Sequence, residues 1–217
     1  MRIAILGTGV VGTTLGTGFV RAGHEVRLGS RSADNENALQ WATDVGAGAS
    51  TGTFAEAAEF GEVAVNATGG LVSVEALTAA GHQNLAGKVL LDVANPLDFS
   101  DGFPPRIAQP DGRSLAEQIQ ASFPDVRVVK TLNTMTASVM VDPRSLPSHH
   151  SVFVAGDDAE AKQVASTLLG SLGWEPDEIV DAGGLVAARG LELYLPLWLA
   201  LMGSLGSPAF NIQVVRG

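Results

Sequence analysis

The chain has no cysteine among its 217 residues. That excludes disulfides, thiolate metal centres and cysteine nucleophiles at once. It is also poor in basic residues: 13 lysines and arginines against 23 aspartates and glutamates leave a net charge of −10. An acidic surface lacks the phosphate attraction that carries nucleic-acid and anionic-membrane binding, so neither partner is expected. Long hydrophobic runs are scarce. The most tempting one, Leu193 to Gly206, falls short of the roughly 20 residues of a membrane span, holds Pro196 and abuts Glu192. It reads as a buried core or interface helix kinked at Pro196. No Ser-Tyr-Lys set, no histidine–carboxylate pair at strand ends and no metal site is evident. The adjacent His149-His150 point to opposite faces of an extended segment and have no spaced carboxylate partner.

Glycine, by contrast, is abundant, with 26 residues. The glycines punctuate an alternation of short apolar runs and helical stretches. Strands are predicted at Arg2–Leu6, Glu25–Leu28, Ala49–Phe54, Glu62–Asn66, Val89–Val93 and Val126–Lys130. Helices are predicted at Val10–Arg21, Asn35–Thr43, Val72–Ala80 and Ser114–Ser122, with a Pro/Gly/Asp-rich loop over Phe99–Arg113. After Pro143 the pattern changes, to a strand at Ser151–Ala155, a helix over Asp158–Leu172 and an apolar helical tail from Gly184. The expected fold is α/β: a Rossmann doubly wound sheet with a smaller C-terminal α+β or helical domain. Its division is 1–140 for the larger sheet domain and 141–217 for the small C-terminal domain. Met1-Arg2-Ile3 runs straight into the first strand and leaves no room for a signal peptide, so a cytoplasmic location is expected.

Gly7-Thr8-Gly9-Val10-Val11-Gly12 is a G-x-G-x-x-G between a strand and a helix, the context in which that spacing carries meaning. The first glycine allows the tight turn, the second lets backbone approach a pyrophosphate, and the third lets helix and strand pack. The phosphates meet free N–H groups at the helix N-terminus. The second strand leads into Ser30 and Arg31, where an NAD site wants a carboxylate for the ribose 2′-OH. A hydroxyl and a guanidinium suit a 2′-phosphate instead, so the expected cofactor is NADP(H).

Later strand ends line the same cleft: Ala67-Thr68-Gly69-Gly70, Asn95-Pro96 and Asn133. Small residues there let a flat ring approach backbone, and Asn95 and Asn133 are placed to bond a carboxamide or a substrate. Turn satisfaction is the competing role for both asparagines. Arg189 and Glu192, three apart on a helix, are expected to pair with each other. Hydrophobic residues of the tail, Tyr194 to Met202, exceed what a small domain covers, so a homodimer is expected.

The segments MRIAILGTGVVG, GHEVRLGSR, VVKTLNTM, HSVFVAGDDAEAK and DAGGLVAARGLELYLPLWLALM resemble the coenzyme F420-dependent NADP oxidoreductases over nearly the whole length. The resemblance implies that Thr8 to Val11 wrap the pyrophosphate and that Ser30 and Arg31 hold the 2′-phosphate. It implies that Ala67, Thr68, Asn95 and Ala137 lie along the cofactor. It further implies direct hydride transfer between two stacked rings, with no catalytic side chain and with coenzyme F420 as the redox partner. Asn133 stands where some members carry histidine. Three readings stay open at this point: an NADPH–F420 oxidoreductase, an NADPH-dependent flavin or ferric reductase, and a non-catalytic NADP(H) sensor.

Overall fold

The computed structural model describes residues 1–217, the side chain of Pro110 excepted. The chain runs β1 (Arg2–Leu6), α1 (Val10–Arg21), β2 (Glu25–Ser30), α2 (Glu36–Val45), β3 (Ala49–Thr53), α3 (Phe54–Phe60), β4 (Val63–Asn66), α4 (Ser73–Ala80), α5 (His82–Leu85) and β5 (Val89–Asp92). A small ribbon, β6 (Leu97–Asp98) with β7 (Arg106–Ile107), precedes α6 (Leu115–Ser122), β8 (Arg127–Thr131) and α7 (Ala137–Val141). Then come β9 (Val152–Ala155), α8 (Ala159–Ser171), β10 (Ile179–Gly183), α9 (Ala188–Leu193) and α10 (Leu195–Leu205).

Six strands run parallel in the order β3-β2-β1-β4-β5-β8, the dinucleotide-binding arrangement of a doubly wound sheet. β9 adds antiparallel to β8, and β10 runs parallel to β9. Strands from both sides of residue 140 therefore share one sheet. The change of pattern after Pro143 coincides with a reversal of strand direction.

The strands read as unbroken apolar runs because helices cover both faces. Ile3 and Ile5 of β1 point into a core with α1, α2, α7 and α8, and Ala4 and Leu6 into a second core with α3, α4 and α6. Three helices are absent from the sequence reading: α3, α5 and α7. α3 begins at Phe54, where a strand end was expected, and it is started by a reciprocal cap. Thr53 Oγ1 accepts from the Glu56 N–H at 3.2 Å, and the Thr53 N–H donates to the Glu56 carboxylate at 2.7 Å.

The C-terminal segment Leu185–Leu205 is long and apolar enough to cross a membrane by length and composition, with a mean hydropathy of 1.4. It is nonetheless tied to the sheet by charge. Arg189 and Glu192 do not pair with each other as expected. Arg189 pairs with Glu117 of α6 at 2.6 Å, and Glu192 with Lys130 of β8 at 3.0 Å. Glu192 is itself enclosed and needs the cation and the N–H donors that Lys130 and the start of α6 supply, whereas the half-exposed Arg189 is met at the surface. Pro196 sits in the first turn of α10, where proline is tolerated, and the helix breaks at Tyr194 just before it.

Candidate functional site

The order of the parallel strands reverses direction between β1 and β4, and ligands of such sheets sit at that point, beyond the strands' carboxyl ends. The loop after β1 is fitted closely there. Gly7 has φ +125°, and a Cβ on it would stand 2.4 Å from the Ala67 carbonyl oxygen. A Cβ on Gly12 would stand 2.1 Å from the Gly7 carbonyl oxygen. Around Gly9, in contrast, nothing lies within 4 Å of that position. No side chain caps α1, so the N–H groups of Val10 and its neighbours remain for a ligand.

A cavity of about 550 Å³ opens beside this loop, lined by Gly7, Thr8, Gly9, Ser30, Arg31 and Thr68 among others. Ser30 is buried, and its hydroxyl donates to the Ser32 carbonyl and accepts from the Ser32 N–H at 3.3 Å. That folds the chain so that Arg31 stands exposed, with no ion pair among the described residues. The nearby Asp34 carboxylate accepts from the Ser32 hydroxyl. Asn35 caps α2, accepting from the Ala38 N–H at 3.0 Å. A larger cavity of about 860 Å³ runs between α1 and α2 and meets the loop at Thr8, Gly9 and Val10, but no later strand end lines it.

A further cavity, about 430 Å³, shares Ala67, Thr68 and Gly69 with the 550 Å³ one. Its other walls include Val11, Asn95, Asn133, Met140 and Trp198, and among the described residues no ionisable side chain lines it. Asn95 and Asn133 are latched together. Asn133 Nδ2 donates to Asn95 Oδ1 at 3.0 Å and to the Leu191 carbonyl at 3.0 Å, while Asn95 Nδ2 donates to the Asn133 carbonyl at 2.8 Å. The turn into this latch is made by Leu132, at φ +61°, a conformation that is strained for a bulky residue and marks functional sites more often than others.

Gly70 lines the 430 Å³ cavity and must also be small for packing: a Cβ on it would stand 2.3 Å from the Asn95 carbonyl oxygen. Two sequence expectations need adjusting here. Pro96 lines a different cavity, with Val74, Ala108 and Arg113. Ala137 packs against the core and lines none of these cavities, whereas Met140 of the same helix does line the 430 Å³ cavity.

Beneath the cavities runs a buried polar chain that the sequence reading missed. The Thr68 hydroxyl donates to Asn66 Oδ1 at 2.7 Å, and Asn66 Nδ2 donates to Asp92 Oδ1 at 2.8 Å. Lys130 Nζ lies 2.9 Å from Asp92 Oδ2 and 3.0 Å from Glu192 Oε1, and it also donates to the Ala94 carbonyl. Glu192 accepts from the N–H groups of Leu115 at 2.9 Å and Ala116 at 3.3 Å, at the start of α6. The side chains of Asp92, Lys130 and Glu192 are all 0% exposed. Buried charges persist only with their partners satisfied, and here each one is. The available signal was Lys130 itself, a charge inside the apolar run Val128-Val129-Lys130-Thr131.

Residues 2–96 match the family model of NADP oxidoreductase coenzyme F420-dependent proteins. The chain is 32% identical over 210 residues to the F420-dependent NADP reductase of Methanothermobacter marburgensis, covering 93% of this chain and 92% of that one. It is 30% identical over 210 residues to metalloreductase STEAP3 of Rattus norvegicus, of whose length it spans 38%. A crystal structure from Arthrobacter sp. FB24, assigned as an F420-dependent NADP reductase, superposes with a TM-score of 0.94 at 48% identity, covering 100% of both chains. By this full-length similarity, the chain belongs to the F420-dependent NADP reductase family.

Proposed function

We propose that this protein transfers hydride between NADP(H) and coenzyme F420 within one cleft. The observation that carries the reading is the shared wall Ala67–Gly69. It separates a cavity containing the glycine loop and Arg31 from an apolar cavity with room for rings. The two rings supply the hydride donor and acceptor. The chain supplies binding, alignment and exclusion of water, which is what ring-to-ring transfer asks of a protein.

On this reading Gly7, Thr8, Gly9, Val10, Val11 and Gly12 hold the pyrophosphate, and Ser30 and Arg31 the 2′-phosphate. Ala67, Thr68, Gly69, Asn95 and Asn133 flank the nicotinamide. Reduction of a simple carbonyl calls for a proton donor as well; the uncharged lining of the ring cavity favours an acceptor that disperses charge itself. Residues 1–140 carry the nucleotide, and 141–217 complete the ring side and the dimer contact. The working form is a cytoplasmic homodimer, joined through the exposed Leu193, Leu197 and Leu205 of the tail.

The test is a turnover screen of NADPH against F420, free flavins and ferric chelates, with light scattering alongside. F420 reduction outpacing the others supports the reading. Turnover with flavin or ferric chelate and none with F420 overturns it.

A further inference from the structure

We infer that the segment Ser207–Val215 is a strap, fastened by neutral His150 and released when that histidine takes a second proton. The device is indifferent to which ring the neighbouring cavity takes.

The segment follows α10, has no helix or strand of its own, and folds back onto the residues that lead into β9. The Ser151 N–H donates to the Ile212 carbonyl at 2.8 Å, and the Val214 N–H donates to Ser151 Oγ at 3.0 Å. Asn211 Nδ2 donates to the Ser151 carbonyl at 2.9 Å. Phe210 stacks on Trp198, centroids 5.5 Å apart and planes at 22°, and Trp198 lines the 430 Å³ cavity. Whatever loosens the strap therefore unbraces one wall of that cavity.

His150 is 5% exposed and meets Trp174 edge-on, with centroids 4.8 Å apart. Its Nε2 lies 2.9 Å from the Pro143 carbonyl oxygen, which only accepts, so Nε2 carries the proton. Nδ1 is then bare and accepts from Asn211 Nδ2 at 2.8 Å. Both hydrogens of the Asn211 amide are thereby placed, one on His150 and one on the Ser151 carbonyl. A proton added at Nδ1 sets a second donor against that NH₂. Turning the amide round gives Nδ1–H an acceptor but brings Oδ1 against the Ser151 carbonyl oxygen, acceptor to acceptor. No orientation of Asn211 serves both neighbours, so the imidazolium and the fastened strap exclude one another.

The charged group that acts on His150 is the enclosed carboxylate of Glu178, ahead of β10. That carboxylate is shared by Arg144, from the turn that holds Pro143, and by His149 Nδ1 at 3.2 Å. Glu175 and Asp177 act in turn on Arg144. The strap from Ser207 to Val215 brings no charge of its own. A counter-charge for the imidazolium is therefore built in, and histidine is the side chain that changes charge near neutrality.

Because the chain has no cysteine, Val215→Cys, at a position 83% exposed, creates a single site for a nitroxide label. Its line shape is read from about pH 8 to about pH 5.5, the range in which histidines titrate, with near-ultraviolet dichroism alongside. The expected result is an immobilised component at the upper end that is lost at the lower, while the dichroism is unchanged. His150→Phe keeps a ring against Trp174 and takes no proton, and Asn211→Leu removes the donor from a half-buried position; each should abolish the pH step. An unchanged wild-type line shape overturns the inference. So does a step that coincides with loss of the dichroism, or one that persists in Asn211→Leu, which decides by itself where His150→Phe does not fold.

Discussion

At the nucleotide end of the cleft, six consecutive residues, Gly7 to Gly12, make the turn and open the helix that follows it. At the ring end the walls come from the ends of β4, β5 and β8 and from α10, so Ala67 meets Trp198 only through the tertiary fold. The first end is local and open, with an exposed arginine that owes nothing to the core. The second is non-local and stands on a buried cluster of charges. Affinity at the nucleotide end can therefore change without stability changing, whereas the ring end cannot be altered at its base without disturbing the whole fold.

Lys130→Met tests that contrast most severely. It removes the cation between two buried carboxylates, and breaking a buried ion pair costs about 3–5 kcal/mol. The expected result is a large drop in denaturant midpoint, whatever the nucleotide concentration. A midpoint within experimental scatter of wild type would mean that the buried charge cluster contributes no stability, and the contrast would collapse.

Arg31→Ala is the counterpart at the other end. It should weaken NADP(H) binding by about 1.5–3 kcal/mol, the range for a charge-assisted hydrogen bond, while leaving NAD(H) binding and the melting temperature nearly unchanged. Equal wild-type affinity for NADH and NADPH would refute the assignment of the 2′-phosphate to Ser30 and Arg31.

The smallest effect lies on the tie between tail and sheet. The Arg189 guanidinium, helped by capping bonds from Ser114, holds the Glu117 carboxyl at about 2, below its ordinary 4.5. A carboxylate depressed on folding stabilises above the unfolded value and loses that contribution as pH falls through the folded one. Stability should thus erode between pH 4.5 and about 2. Glu117→Gln should flatten this part of the acid limb by less than about 1 kcal/mol, since Arg189 is half-exposed. Acid unfolding curves that superimpose for wild type and variant would remove Glu117 from the account.

The same contrast explains what the sequence made legible. The Rossmann order and the glycine loop follow from residues that are neighbours in the chain, so spacing alone exposes them. Ser30 and Arg31 were legible because the fingerprint fixes where the second strand ends. The partnership of Lys130 with Glu192 was not, because an i, i+3 spacing on a helix offered Arg189 a nearer partner than the true one on α6. Asn95 and Asn133 were found, but their mutual latch was hidden, since it depends on the left-handed turn at Leu132, a residue type that gives no sign of it. The helix α3 was readable in principle from Thr53 and Glu56 and was masked by the β-like run before it.

The enclosure of Lys130 also bears on the order in which the molecule can be made. During synthesis the glycine loop emerges first, and it completes its contacts when the Gly29 carbonyl of β2 and Ala67 after β4 have followed. Lys130 follows later and finds Asp92 already made, whereas Glu192 can be enclosed only once Lys130 and the α6 N–H groups are there to meet its charge. The α6 N-terminus waits for the same carboxylate. The arrival of α9 therefore completes a charge cluster whose other members, Asp92 and Lys130, lie far earlier in the chain.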